Sequence, residues 1–333
     1  MTILQYHGLK FLPLMKLNKN YQFLGLQSHQ ANKTGQSMYY YQFLRSMMFV
    51  PGHNEKLLLR ASQSPADALI PDIEDSVMPA SNKQIARDMV KEKVSSGLFR
   101  DFKVFPRVND RESGHCLKDV YTLTIEGVTG FVYPKAMRGE DIYFFDKLLE
   151  TIEYEKNFPV GTFKIVPLIE TTAAVLNAQE ICLSSNRVIA IAFGCEDFVA
   201  DVEGVHDPEG RSLQVPRAMI AMAARATGVI PIDTVHINVH NLEELEINVK
   251  LARILGFEGM LILHPKELEI AHKYFSPNEK EVEDAREMLR LSEEAEKMDK
   301  GVAVLNGKFI GPPMVLQAKK ILEQDRRIKQ KNF

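Results

Sequence analysis

The stretch KIVPLIETTAAVLNAQEI, residues 164–181, begins as a buried β-strand and then places a glutamate, Glu170, where an apolar residue would be expected. Burying an unpaired carboxylate costs several kcal/mol. A partner cation, a bound metal or a solvent-filled mouth would each relieve that cost. The rest of the chain decides among these three explanations.

From Met47 onward the chain alternates short apolar segments with longer amphipathic ones such as NLEELEINVKLARILG, in which Leu242, Leu245, Val249 and Ala252 recur at helical spacing. Eight such β–α units predict an α/β fold, a TIM (β/α)8 barrel; a doubly wound sheet usually has fewer strands and a glycine-rich first turn. The eight strand-like segments are MMFVPG (47–52), ALIPDIED (68–75), KVFPRVN (103–109), GFVYPKA (130–136), KIVPLIET (164–171), VIAIAFG (188–194), DTVHINVH (233–240) and MLILHPK (260–266).

Seven of these eight segments close with polar or charged groups. In a TIM barrel the carboxyl ends of the strands meet on one face, where the active site lies. Glu170 is therefore predicted to point into a polar mouth. The groups are Asp72, Glu74 and Asp75; Arg107 and Asn109; Lys135; Glu170; Glu196 and Asp197; Asn238 and His240; and His264.

Several carboxylates at one mouth repel one another unless a cation is present. Their hard oxygen ligands, without a Cys or His triad nearby, favour Mg²⁺. The alternative for any single acid is a plain ion pair, such as Glu170 with Lys135 or Arg107. We favour the metal because acids recur at successive strand ends, which leaves Arg107 to hold a substrate carboxylate with two hydrogen bonds.

Composition excludes several classes of protein. The 333 residues are 45% hydrophobic and 26% charged with a net charge of −3, as in a soluble globular chain. There is no basic face for nucleic acid, and no apolar run is long enough to cross a membrane. Cys116, Cys182 and Cys195 lie far apart, so neither a zinc site nor a disulfide framework is expected, and the reducing cytoplasm fits best.

Three parts of the chain are predicted. Residues 1–44 contain no Asp or Glu and are expected to be a flexible tail, or to reflect a translation start placed upstream of the true start at Met38. A transit peptide, hence a mitochondrial location, is the alternative, although the first arginine is Arg45. Residues 45–275 are the catalytic barrel. Residues 276–333 form a helical extension that packs on the barrel or on a neighbouring subunit.

The motifs, taken in order, resemble those of the citrate lyase beta subunit and the related malyl-CoA and citramalyl-CoA lyases of the HpcH/HpaI aldolase superfamily. The resemblance runs from Arg45 to about Leu322. It is carried by RSMMFVPG, ALIPDIEDSVMPASNKQIARDMV, FPRVN, YPKA, LIETTAAVLNAQEI, IAFGCEDFVADVEG, PIDTVHINVHN, ARILGFEGMLILHPKELEIAHKYFSP and LNGKFIGPP.

This resemblance implies roles for single residues. Glu170 and Asp197 would be the magnesium ligands, and Arg107 would bind the keto-acid carboxylate with help from N–H groups around Cys195 and Glu196. Two further groups are implied. Coenzyme A would be held by Phe49, Asn54, Arg60, Leu263 and His264, and magnesium waters would be oriented by Glu74, Asp75 and Lys135.

Two of these residues keep a second interpretation. Cys195 is expected to be a small packed side chain and not a nucleophile, because no histidine is adjacent and the reaction needs no covalent intermediate. His264 is either a catalytic group or a structural histidine before a turn-forming proline.

The resemblance also shows two departures. The lyases commonly carry Asp at strand seven, where this chain has Asn238 and Asn241. They commonly read GKMID.P near the C-terminus, with an Asp that a neighbouring subunit delivers as the catalytic acid or base, and here that position is Gly311.

The expected activity is a magnesium-dependent carbon–carbon lyase that cleaves a malyl-, citramalyl- or citryl-type thioester to an acetyl-thioester and an α-keto acid. The expected partners are a CoA thioester, an α-keto acid and further copies of the chain in a trimer or hexamer. Two alternatives remain: a CoA-ester or keto-acid binding protein that lost its chemistry with Gly311, and a beta-type subunit acting on an acyl carrier protein.

Overall fold

Eight parallel strands form the centre of the chain. The structure is a computed structural model and describes residues 43–207, 210–297, 303–305 and 308–331. Five of these strands are buried along their whole length, as is typical of parallel strands covered by helices. The strands are β1 (Ser46–Pro51), β2 (Ala68–Asp72), β3 (Lys103–Val104), β4 (Gly130–Tyr133), β5 (Lys164–Ile169), β6 (Ala190–Phe193), β7 (Ile230–Asp233) and β8 (Gly259–Ile262).

The strands pair in the order β3-β2-β1-β8-β7-β6-β5-β4, and the seam between β3 and β4 closes the ring. At this seam Arg107 forms parallel bridges with both Asp72 and Val132. The Val132 N–H donates to the carbonyl of Pro106 at 3.0 Å. Strand β3 is short because Pro106 has no N–H to continue the ladder. The ring confirms the predicted TIM barrel.

Helices cover the outside of the ring. In α9 the predicted apolar stripe faces the core, since Leu245, Val249 and Ala252 are buried. The helices are α1 (Glu55–Ala61), α2 (Lys83–Ser95), α3 (Cys116–Leu123), α4 (Gly139–Glu155), α5 (Thr172–Leu176), α6 (Ala178–Leu183), α7 (Cys195–Asp201), α8 (Arg211–Thr227), α9 (Leu242–Leu255), α10 (Leu268–Phe275), α11 (Glu279–Lys297) and α12 (Pro312–Lys331).

The predicted seventh strand is wrong in its position. Residues 234–240 form a loop, and β7 lies just before them. The alternating pattern of this segment favoured a strand, whereas the true strand is a four-residue run buried on both faces. Asp233 therefore ends β7, so the strand does end in an acid, and Asn238 and His240 lie beyond it. Asn241 caps α9 by accepting the Glu244 N–H at 3.2 Å.

The C-terminal part contains α11, an antiparallel hairpin of β9 (Ala303–Leu305) and β10 (Lys308–Ile310), and α12. An ion pair of 2.5 Å between Arg253 and Glu281 joins α11 to the barrel helix α9. Most of the predicted tail, residues 1–42, lies outside the described residues. Within the described part of the chain, no helix has the length and apolar character needed to cross a membrane.

Candidate active site

Glu170 follows β5 at the carboxyl end of the barrel and is 2% exposed. Its Oε1 accepts the backbone N–H of Lys135 at 2.5 Å. Lys135 has a left-handed backbone, with φ of 55°, which turns that N–H toward the carboxylate. On the other side a Cβ on Gly194 would lie 2.7 Å from the Glu170 Cβ. Glu170 is thus held between the ends of β4 and β6, and the chain at 194 must be glycine.

No ion pair within the described ranges involves Glu170. Burial raises the pKa of Glu170 to about 8; the Lys135 N–H opposes this rise, and the negative charges of Glu74 and Asp197 add to it. The Lys135 ammonium contacts Glu74 at 3.1 Å and Asp110 at 3.7 Å instead. The plain ion-pair explanation for Glu170 is therefore wrong.

Asp197 lies in the first turn of α7, with its side chain exposed. It follows β6, as Glu170 follows the parallel neighbour β5, so the two carboxylates lie at the same mouth. In the ranges that the structure describes, no third His, Cys, Asp or Glu completes a metal cluster. A buried carboxylate without a cation, beside an exposed one, fits Mg²⁺, which keeps several waters and takes one or two protein carboxylates. Glu170 and Asp197 are the residues that would hold it.

The raised pKa of Glu170 predicts how magnesium binding depends on pH. Below about pH 8 a proton competes with the cation, so affinity should rise with pH, by up to about tenfold per unit, and level off above the pKa. In the metal-free protein the raised pKa also adds to the free energy of unfolding. This contribution is complete at a pH below the ordinary pKa of a glutamate, and it is lost as the pH rises through about 8. Calorimetric titration with MgCl₂ at several pH values measures the first effect. A pH-independent affinity would contradict the assignment.

Arg107, at the barrel seam, lies in a cluster of three acids. Its Nε and Nη2 donate to the two oxygens of Asp72, each at 2.8 Å. Its Nη1 contacts Glu74 at 2.8 Å and Asp75 at 3.1 Å. The sequence predicted that this planar fork holds a substrate carboxylate; in the structure Asp72 occupies it, because a buried acid requires a cation. Of the three guanidinium nitrogens of Arg107, Nη1 is the one that lies beside an exposed side chain, that of Asp75.

The acids of this cluster differ in their environment. Burial alone would raise the pKa of Asp72, but hydrogen bonds and the charge of Arg107 outweigh it and hold the pKa below its usual value. Glu74 has both oxygens buried, and its ion pairs lack hydrogen-bond geometry. Burial raises the pKa of Glu74 to about 7, against the charges of Arg107 and Lys135. The structure thus brings Glu74, Asp75 and Lys135 together around Arg107.

Lys83 belongs to the same region and was not singled out from the sequence. Its buried Nζ donates to the carbonyls of Ile73 and Glu74, at 3.1 and 2.6 Å. The Asn109 amide also donates to Ile73, at 2.9 Å. These bonds fix the turn that carries Glu74. The sequence feature that could have identified Lys83 is its position on the face of α2 that carries the buried Ala86 and Val90.

The turn after β6 differs in part from the expectation. Cys195 is buried and unpaired, and burial raises the pKa of its thiol to about 12, which agrees with a packed side chain. Its N–H donates to the Thr234 hydroxyl at 3.2 Å and is not free for a keto acid. Glu196 is exposed, and its Oε1 lies 2.9 Å from Nε2 of His206.

The residues predicted to hold coenzyme A fall into separate places. The Phe49 ring lies 5.0 Å from the Arg107 guanidinium and so belongs to the Arg107 cluster. Asn54 caps α1 by accepting the Leu57 N–H at 3.1 Å. Arg60 is exposed beside a shallow pocket of about 260 Å³.

The other two lie in the turn after β8, which neighbours β1. The Leu263 N–H donates to Glu267 at 3.1 Å, and Nδ1 of His264 accepts the Lys266 N–H at 3.2 Å. The second contact favours the structural interpretation of His264.

A cavity of about 440 Å³ lies between the α7–α8 segment, the end of β7 and α9. Cys195, His206 and Thr234 line it, but Glu170 and Arg107 do not. It therefore adjoins the turn that carries Asp197 from the β7 side, and none of the residues of the acid cluster lines it.

Sequence comparison decides the family. Residues 45–265 match the family described as HpcH/HpaI aldolase/citrate lyase. The chain belongs to this family. A protein named citrate lyase subunit beta, from Haemophilus influenzae, is 34% identical over 280 residues, covering 84% of this chain and 96% of its own. A protein named (3S)-malyl-CoA thioesterase, from Cereibacter sphaeroides, is 28% identical, covering 85% and 95%. The resemblance and the expected lyase class are confirmed.

Solved structures of other proteins share the fold. A Burkholderia xenovorans citrate lyase has a TM-score of 0.76 at 18% identity and covers 85% of this chain and 92% of its own. Mycobacterium tuberculosis CitE, in complex with magnesium, acetoacetate and coenzyme A, has a TM-score of 0.69 at 21% identity and covers 86% and 98%. Magnesium in that protein agrees with the metal predicted from the carboxylates.

Proposed function

We propose that the protein is a magnesium-dependent carbon–carbon lyase that cleaves a 3-hydroxyacyl thioester of the malyl, citramalyl or citryl type into an acetyl-thioester and an α-keto acid. The observation that carries the proposal is the buried Glu170, which has no cation partner in the described structure and shares the barrel mouth with Asp197. Names of relatives, which include citrate lyase subunits and a malyl-CoA thioesterase, support this substrate class.

Each residue of the mouth has a separate proposed role. Glu170 and Asp197 would hold magnesium, which when bound supplies positive charge for the hydroxyl and carboxylate oxygens of the substrate. Arg107 Nη1 and the half-exposed Lys135 ammonium add fixed positive charge where an oxyanion develops. Glu74, buried between these two cations, keeps both in place. Such fixed charges need no reorganisation during the reaction.

Coenzyme A is the proposed thioester carrier, because a solved family member was crystallised with it. In this chain the helix α1, with Arg60 exposed, and the turn after β8, with Leu263 exposed, are the proposed surface for it. A trimer or hexamer and an acyl carrier protein partner stay predictions.

A mass-spectrometric screen tests the proposal. The protein is incubated with Mg²⁺ and malyl-CoA, citramalyl-CoA, citryl-CoA or the matching acyl carrier protein thioesters, with and without EDTA. Release of an acetyl-thioester and a keto acid that EDTA abolishes is the expected result. Calorimetric binding of acetyl-CoA and a keto acid without any turnover would instead establish the binding-protein alternative. Cleavage of acyl carrier protein thioesters alone would identify the beta-type subunit.

Gly311 can be tested directly, because the structure accepts a side chain there. It precedes α12, where its carbonyl accepts the Met314 and Val315 N–H groups, and it is not among the glycines with positive φ. A Cβ would meet the Pro313 Cδ at 3.7 Å, an ordinary contact. Aspartate is also a favoured residue at a helix N-cap. Gly311→Asp should therefore fold and should raise kcat, by up to about 10²-fold, since a carboxyl group returns to the position of the family acid.

Gly311→Asn is the matched control, because it caps the helix equally well but cannot transfer a proton. It should match the thermal stability of Gly311→Asp without the gain in kcat. Equal kcat values for the two variants and the unchanged protein would show that position 311 does not take part in proton transfer.

A further inference from the structure

Building on the lyase activity proposed above, we propose that His206 is a catalytic residue that protonates the carbon of the thioester enolate, in place of the carboxyl group absent at Gly311. His206 lies in the segment between α7 and α8, nine residues after Asp197. The juxtaposition that supports this role is an imidazole held by a carboxylate, at the edge of a cavity, beside the turn that carries Asp197.

The first argument is the contact with Glu196. Nε2 of His206 lies 2.9 Å from Oε1 of Glu196, and the imidazole is 39% exposed. A carboxylate at this distance accepts the ring N–H and fixes the orientation of the imidazole. Glu196 and Asp197 are consecutive on α7, so their side chains diverge by roughly 100° around the helix. One acid can therefore hold the imidazole while the other points in a different direction.

The second argument is the cavity. Its volume of about 440 Å³ lies within the range of roughly 300–1,000 Å³ that is typical of small-molecule sites. Cys195, at the start of α7, and His206 both line it. A thioester fragment released beside the Asp197 turn could enter this space, and the imidazole would meet it there. Neither Glu74 nor Asp75 lines the cavity, so the acid cluster lies on another side.

The third argument is the state of the other ionisable groups in the cavity wall. Arg217 and Asp233 form a buried ion pair of 2.5 Å. His236 is buried, with Nε2 at 3.0 Å from the Asn241 carbonyl oxygen. Asp207 accepts the Arg211 N–H at 2.8 Å. Glu244 receives the Asn241 side-chain amide at 2.9 Å. Among the described lining residues, His206 combines a partly exposed ring with a carboxylate, that of Glu196, within hydrogen-bond distance.

The proton balance closes without another reactant. Carbon–carbon cleavage leaves an electron pair on the thioester fragment, and this pair takes the proton from the imidazolium to form the new C–H bond of the acetyl group. The hydroxyl proton of the substrate leaves to solvent through the mouth, and a solvent proton restores the imidazolium. In the condensation direction the neutral imidazole removes a proton from the acetyl methyl group. The cycle consumes no net proton.

Exchange of methyl protons tests this step apart from overall turnover. The protein is incubated with Mg²⁺ and acetyl-CoA, or the acetyl-thioester found in the screen, in D₂O, and deuterium in the methyl group is followed by mass spectrometry. His206→Gln should lower both exchange and kcat by about 10²-fold, with KM within about threefold, because the group that moves the proton is lost while binding remains. His240→Gln is the matched control, since His240 is exposed in the β7–α9 loop and does not line the cavity.

The double variant His206→Gln/Gly311→Asp adds a second criterion. If both positions supply the same proton, Gly311→Asp should raise kcat more in the His206→Gln background than in the unchanged protein. Exchange and kcat of His206→Gln equal to those of His240→Gln would overturn the role of His206 and leave the lyase proposal standing. A protein that cleaves none of the thioesters and exchanges no methyl protons would overturn both.

Discussion

Glu170→Gln and Asp197→Asn should each lower Mg²⁺ affinity by roughly 10²-fold or more, since loss of outer-shell partners alone typically costs about 10–100-fold. Each change removes the negative charge of a proposed metal ligand and nearly preserves the side-chain shape. The fold should persist, because Asp197 is exposed and Glu170 keeps its acceptor for the Lys135 N–H as glutamine. Calorimetric titration with MgCl₂ measures the affinity, and thermal unfolding reports the fold.

Glu196→Gln is the matched control for Asp197→Asn. It changes an adjacent, exposed carboxylate that contacts His206, and it should leave Mg²⁺ affinity within about threefold, because salt screens an exposed charge that does not bind the metal. Retention of normal Mg²⁺ affinity in both Glu170→Gln and Asp197→Asn would place the metal elsewhere.

Asp72→Ala should lower the free energy of unfolding by about 3–5 kcal/mol, because it leaves the buried Arg107 without its bidentate partner. Asp72 also accepts the N–H groups of Glu74 and Ser76, at 3.0 and 3.1 Å. The midpoint of thermal unfolding should fall by roughly 6 °C or more. Since the pKa of Asp72 is held below its usual value, this stabilisation is present above the usual Asp range and is lost when acid protonates the group.

Asp75→Ala provides the comparison for the same guanidinium. Asp75 contacts Arg107 at 3.1 Å, but its side chain is 60% exposed. Its loss should change stability by about 1 kcal/mol or less, as for other surface ion pairs. Equal destabilisation by Asp72→Ala and Asp75→Ala would show that burial does not determine the strength of the Arg107 contacts.

The barrel could be predicted from the sequence because its signal is repeated. Seven of the eight apolar segments begin within two residues of the start of an observed strand, and the polar groups that follow them converge. The seventh strand was missed because IPID, residues 230–233, is too short and too uniformly apolar to show a period. The polar alternation of residues 234–240 was the stronger pattern, although it belongs to a loop.

The candidate site could be predicted only as a set of residue types at strand ends. Glu170 and Asp197 were found because an acid after a buried strand is conspicuous. The partners of Arg107 were not found, since no local pattern shows that Asp72, 35 positions earlier, lies opposite the guanidinium. His206 lies in an irregular segment without periodicity, and its contact with Glu196 depends on how that segment folds back on α7.

The seam between β3 and β4 links barrel closure to the charges of the mouth. The backbone of Arg107 bridges β2 at Asp72 and β4 at Val132, and its side chain also binds Asp72. This dual use restricts how the enzyme could be redesigned. A library that varied Arg107 or Asp72 to change substrate preference would lose many members to misfolding before selection acted. The loop before α9 borders the cavity without belonging to the ring, and it is the better position for directed evolution.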